Sequence, residues 1–132
     1  MSKVHSRTYD FGPRFSELVL HELDPRYSRE EVTLAASSGD LEFGTVLTRN
    51  ADGNYAALKE ADGTLGDAKA VLIQTALNAD APQQVLVLRG YSIINRNKLC
   101  FDASVVKKDE AVQALHDLGF AIKTIEEVQD EA

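Results

Sequence analysis

Phe43-Gly44-Thr45-Val46-Leu47-Thr48 is followed by Tyr55-Ala56-Ala57-Leu58, Ala70-Val71-Leu72-Ile73-Gln74 and Val85-Leu86-Val87-Leu88-Arg89, and these runs decide the fold. Each is short and apolar, and the intervals carry Asp52-Gly53, Asp62-Gly63 and Pro82. Strands of a compact antiparallel sheet have that length and those boundaries. Asn50-Ala51-Asp52-Gly53-Asn54 has the chemistry of a tight hairpin, because Gly and Asn tolerate positive φ. Val85-Leu86-Val87-Leu88 is continuously apolar, which predicts a strand covered on both faces.

Working outward, Arg89-Gly90-Tyr91-Ser92-Ile93-Ile94-Asn95 reads as a continuation of that strand, with Gly90 placed for a bulge or a close backbone approach. Asn95-Arg96-Asn97-Lys98 is a polar turn. Upstream, Ser28-Arg29-Glu30-Glu31 has the spacing of a helix capping box, but the β-branched run after it predicts a strand over residues 31–35. Downstream the period changes. Ala111, Val112, Leu115 and Leu118 fall at helical spacing and Gly119 stands where a left-handed cap belongs, so residues 107–118 form one amphipathic helix. Residues 120–125 then alternate as a final strand. The expected class is mainly β (α+β), a compact β-rich domain with one C-terminal amphipathic helix and an extended N-terminal arm.

The arm is residues 1–25, the domain residues 26–125 and an acidic tail residues 126–132. Tyr9, Phe11 and Phe15 surround Gly12-Pro13, a pair that forbids a continuous helix through the arm. Residues 16–23 are expected to be extended and to end at Asp24-Pro25. Aromatics on an arm without a core of its own serve as anchors, either for another chain or for the domain itself.

The chain has 132 residues, enough for one domain with a core. No apolar stretch approaches the roughly 20 residues of a membrane helix, which predicts no membrane partner. The N-terminus lacks the apolar core of an export signal, so synthesis in the host cytoplasm and use without that export route are expected. A single cysteine, Cys100, reads as a small buried hydrophobe. Net charge is −7, which argues against nucleic acid as a partner. Five basic and four acidic side chains in residues 1–29 give +1, and nine and seventeen in residues 30–132 give −8. A nearly neutral arm on an acidic body suits a soluble protein that touches its partner through the arm.

Chemistry-bearing patterns are scarce. His5, His21 and His116 lack metal-ligand spacing, and there is no phosphate loop, nucleophile elbow or cysteine pair. Glu42, Glu60, Asp62 and Asp67 do not follow the alternation of a calcium loop. No catalytic residue, metal or cofactor is expected. The alternative reading is a small carbohydrate-binding module or hydrolase using loop carboxylates such as Asp62, Asp67 and Asp102; a tail or adhesion accessory is a third.

The order of Phe43-Gly44-Thr45-Val46-Leu47, Gly53-Asn54-Tyr55, Ala70-Val71-Leu72-Ile73, Val85-Leu86-Val87-Leu88-Arg89-Gly90 and the closing helix and strand resembles the phage head decoration family, of the lambda type. The likeness spans residues 9–125 and rests on order and spacing. It implies a non-enzymatic cement protein of the virion that trimerises on the outside of the expanded capsid and stabilises it by clamping neighbouring major capsid subunits. It also implies a capsid-binding arm, matched here by Tyr9, Phe11, Arg14, Phe15, Leu18, Val19 and Leu20. The segment His21 to Ser28 and the long helix depart from the family pattern.

Overall fold

The computed structural model describes residues 12–124. In chain order the elements are α1 (Gly12–Leu18), β1 (Val19–Glu22), α2 (Pro25–Ser28), β2 (Arg29–Leu34), β3 (Val46–Arg49), β4 (Tyr55–Ala57), β5 (Glu60–Ala61), β6 (Thr64–Leu65), β7 (Ala70–Leu72), β8 (Gln83–Leu88), β9 (Ser92–Asn95), a 3-10 turn (Arg96–Lys98), α3 (Lys108–Asp117) and β10 (Phe120–Lys123). The fold is β-rich, as its short punctuated runs predict. No helix among the described residues is long and apolar enough to cross a membrane.

Five strands close into a small barrel in the order β2-β4-β3-β7-β8. The Asn50–Asn54 hairpin forms as its residues require: Arg49 pairs with Tyr55, the Asp52 carboxylate accepts from Asn54 N–H at 3.0 Å, and Gly53 takes φ 93°. Closure comes from the longest ladder, β2 against β8, running antiparallel from Arg29↔Leu88 to Leu34↔Gln83. At its far end Leu34 meets Tyr55 of β4 in parallel. The result is therefore a barrel in place of a simple antiparallel meander. Asp62-Gly63, expected in a polar loop, turns the two-residue strands β5 and β6 into a minor hairpin.

Two cores share one wall. Val32, Leu34, Leu47, Ala70, Leu72, Val85 and Val87 fill the barrel. Val46, Val71, Ile73 and Leu88 alternate to its outer side, where they meet Leu18, Val19, Ile94, Leu99, Val112, Leu115 and Phe120. Strict alternation along β3, β7 and β8 thus sends successive apolar side chains into different cores. The expectation that Val85-Leu86-Val87-Leu88 is covered on both faces holds for this reason. Helix α3 buries Ala111, Val112 and Leu115 in the outer core. The turn that leads into it is held from a distance: the Glu60 carboxylate accepts from Val106 N–H at 2.9 Å and Lys107 N–H at 3.0 Å. Those bonds hold Glu60 below the usual carboxylate range, with backbone donation from Lys107 the largest cause.

Alongside the barrel lies a three-stranded sheet, β1-β9-β10. Strand β1 runs antiparallel to β9 and β10 runs parallel to it. The sequence reading carries one strand from Val85 through Asn95, but the chain turns between β8 and β9. At that corner Gly90 has φ 149° and a Cβ on it would stand 2.6 Å from the Leu118 carbonyl oxygen. Close approach of the α3 terminus is the reason for glycine. Gly119, at φ 104°, ends α3 as expected and lets β10 start immediately.

Two further expectations are corrected. Gly12-Pro13 opens α1, since proline in a first helical turn loses no hydrogen bond and only blocks helix before it; the segment is therefore helical up to Leu18 and extended only over β1. Cys100 is half-buried: it pairs with Thr45 through a single parallel bridge at the start of β3, between Leu99, which is buried in the outer core, and the partly buried Phe101.

Gly90→Ala is expected to lower stability by about 2–3 kcal/mol, since it combines a left-handed φ with a backbone clash. Gly39→Ala, at φ 82° with open space around it, should cost about 1 kcal/mol. Urea unfolding of the two variants checks the difference.

Candidate interaction surface

The segment leading into the domain is built into it. Leu18 and Val19 are 1% and 6% exposed and belong to the outer core. They are adjacent in sequence, yet both point inward because the helix-to-strand junction lies between them. Phe15 is half-buried, edge-on to Phe43 at a centroid separation of 6.4 Å. The Arg29 guanidinium sits 5.1 Å from the Phe15 ring centroid.

Arg29 also makes a two-pronged pair with Glu22, Nη2 to Oε1 at 2.7 Å and Nε to Oε2 at 3.0 Å. The fully buried Ser28 hydroxyl donates to the same Oε2 at 2.5 Å. This network ties β1 to the start of β2. Burial alone would push Glu22 upward, but hydrogen bonds from Arg29 and Ser28, with the Arg29 and His21 charges, more than reverse it and leave its carboxyl below the ordinary range.

Of the residues assigned to a partner-binding arm, Leu18 and Val19 are therefore core, Phe15 packs on the body, and Leu20 is 38% exposed. Arg14 lies in the backbone of α1. Tyr9 and Phe11 lie outside the described residues, as do His5 and the tail of residues 126–132.

What the sequence reading missed is an apolar surface beside β1. Leu23, Tyr27 and Tyr91 are 73%, 60% and 48% exposed. His21 and Ala121 flank Ile93 across the outer face of the three-stranded sheet. One row further on, Leu23 N–H donates to the Tyr91 carbonyl at 3.0 Å and Tyr91 N–H to the Gly119 carbonyl at 3.1 Å. His21, Leu23, Tyr91, Ile93, Gly119 and Ala121 line a groove of about 140 Å³. Tyr91 has φ 58°, a left-handed conformation that is unfavourable for a bulky side chain. Its two backbone hydrogen bonds and the packed Gly90 hold it there. The consequence is a rigid corner that presents an aromatic ring to solvent. Leu23 and Tyr27 flank Asp24-Pro25, and Arg89 donates through Nε to the Tyr27 carbonyl at 2.6 Å. A single sequence carries no sign that Tyr91 stands outside; Gly90 marks only the corner.

Of the carboxylates considered for hydrolysis or sugar binding, Asp102 has a local role. Asp102 accepts from Ser104 N–H at 3.1 Å and from its hydroxyl at 2.6 Å, and these bonds hold it below the usual carboxylate range. Asp62 sits at φ 53° in the β5–β6 turn. Among the described residues no group of three or more His, Cys, Asp or Glu side chains is placed to hold a metal ion.

A family model described as bacteriophage lambda head decoration protein D matches residues 8–120 of the chain. No curated protein matches it.

Glu22→Gln should destabilise the protein by about 1–2 kcal/mol at neutral pH through weakened charge-assisted bonds to Arg29. A folded-state pKa below the unfolded one means that Glu22 contributes stability above its unfolded pKa and loses it as pH falls through the folded value. The gap between wild type and variant should therefore shrink below about pH 4, the unfolded glutamate range, in pH-dependent unfolding. Tyr91→Asn, which tolerates left-handed backbone, should fold with stability within about 1 kcal/mol of the parent, whereas Tyr91→Val should lose about 2 kcal/mol; thermal unfolding separates them.

Proposed function

Given that the chain belongs to the bacteriophage lambda head decoration protein D family, whose model covers most of its length, we propose that it acts as a cement protein on the exterior of the virion head. It binds the outer surface of the expanded capsid and stabilises it by clamping neighbouring major capsid subunits. Residues 1–14 supply the grip, with Tyr9, Phe11 and Arg14 as contacts, and Leu20 at the exposed edge of β1 continues it.

The observation that carries this reading is the burial of Leu18 and Val19. A gripping segment is useful as a clamp only if force on it reaches the body. Here the residues that follow the grip are core residues, and Glu22 with Arg29 fastens the next strand to the barrel. Extended segments that add to a partner's sheet gain affinity from backbone hydrogen bonds and specificity from alternate side chains.

The working unit is a homotrimer. A cyclic trimer needs a heterologous contact between two different surfaces of the same chain, and the Leu23, Tyr27 and Tyr91 surface supplies an apolar side for one. Three tethered grips turn later contacts into intramolecular ones, which raises avidity by about 10²–10⁴. The acidic chain, with its net charge of −7, keeps the copies soluble before they meet the shell.

Deletion of residues 2–11 leaves α1, Leu18 and Val19 in place, so the body should stay folded while occupancy on expanded heads falls by about 10²-fold or more as the tethered contacts are lost. Co-sedimentation with heads lacking the protein measures this. Undiminished occupancy would remove the arm from the mechanism. A deletion through residue 22 is uninformative, since it takes Leu18, Val19 and Glu22 out of the fold.

A further inference from the structure

The barrel closes through one narrow seam. Strand β2 pairs with β8 along its whole length but with β4 only at Leu34↔Tyr55, because β4 starts at Tyr55 and the chain ahead of it is the Asn50–Asn54 turn. Backbone groups on a strand face its two neighbours in alternation. Arg89 N–H donates to the Ser28 carbonyl, which turns Ser28, Glu30 and Val32 toward β8. Ala35 N–H donates to the Tyr55 carbonyl, which turns Glu31 and Thr33 the other way. Among the described residues nothing stands opposite them: Glu31 N–H and C=O and Thr33 N–H have no partner.

A row of open N–H and C=O groups is a template for one more strand. Side chains decide which strand. Glu30 and Glu31 are both exposed and, being consecutive, stand on opposite faces of β2. Neither is in an ion pair among the described residues, and Val87 and Leu86, which lie across the ladder from them, are uncharged. Pairing of β2 with the β2 of a second copy would set these carboxylates against their own kind, which disfavours it. A strand with two consecutive cations does the opposite, because it brings one cation to each face beside a glutamate.

We propose that the open edge of β2 takes up an extended segment of a partner protein that carries two consecutive Lys or Arg residues. The backbone of that segment bonds Glu31 and Thr33 and widens the barrel wall by one strand, while its paired cations meet Glu30 and Glu31. The acidic pair works in two directions: it bars a like edge and selects a basic one. Strand uptake does not depend on the shell-binding reading. Heads test that reading, whereas uptake is read on the isolated protein.

Amide hydrogen exchange on the full chain is the test. In the protein alone Glu31 and Thr33 should exchange fast, and Glu30 and Val32, bonded to β8, slowly. Protection of Glu31 and Thr33 before any ligand is added would mean that the edge is already covered and would overturn the proposal. The probe is a short peptide with a central Lys-Lys pair flanked by threonine and valine. At about 90% occupancy it should slow Glu31 and Thr33 about tenfold, since only the open fraction exchanges, and leave Glu30 and Val32 as they were. No slowing at the highest soluble concentration refutes strand uptake, and equal slowing by a Glu-Glu version of the peptide refutes the basic partner. Glu31→Pro removes an outward N–H without touching the β8 ladder, so the variant should unfold at nearly the parent temperature while Thr33 stops responding to the peptide. Glu30→Lys together with Glu31→Lys keeps every backbone group and should reverse the preference, so that only the Glu-Glu peptide slows Thr33; an unchanged preference counts against the assignment.

Discussion

Everything in this molecule depends on the two-sided burial of the β3–β7–β8 wall. Val85, Val87, Leu47, Ala70 and Leu72 point into the barrel, and Val46, Val71, Ile73 and Leu88 point away from it. An apolar strand residue left facing water would forfeit roughly 1.5–3 kcal/mol, so the outer side of this wall has to be covered. Helix α3, Leu18 of α1 and the three-stranded sheet cover it. The second layer follows from the excess of apolar residues in the first.

That requirement explains why the N-terminal segment is part of the body. The outer core needs Leu18 and Val19, and obtaining them draws α1 and β1 onto the barrel. Helix α1 has seven residues, too few to persist alone. It is held by Leu18 below and by Glu17, whose carboxylate lies 3.8 Å from Lys98 Nζ. Strand β1 in turn brings Glu22 to Arg29 and Ser28, so the root of the arm is fastened by apolar packing and by a charged network at once.

The exposed surfaces then divide between the two ends of the sheet. At one end the Gly90-Tyr91 corner, pressed against Leu118, holds Leu23 and Tyr91 outward. At the other, a cleft lies between α1 and the 3-10 turn.

Strand positions, the Asn50–Asn54 hairpin, α3 with its Gly119 terminus, and β10 were legible from the sequence, because each is set by local periodicity and by turn chemistry at known residues. Closure of the barrel, the parallel pairing of β10 with β9 and the turn at Gly90-Tyr91 were not, since they depend on which ladders meet and the sequence holds only the strands. Gly12-Pro13 was misread because a proline that breaks a helix and one that begins it look alike until the packing of Leu18 selects the second. Leu18, Val19 and Tyr91 carry the same lesson. Hydrophobicity marks a residue as wanting company, and only the tertiary structure decides whether that company is the chain's own core or a surface it offers to another.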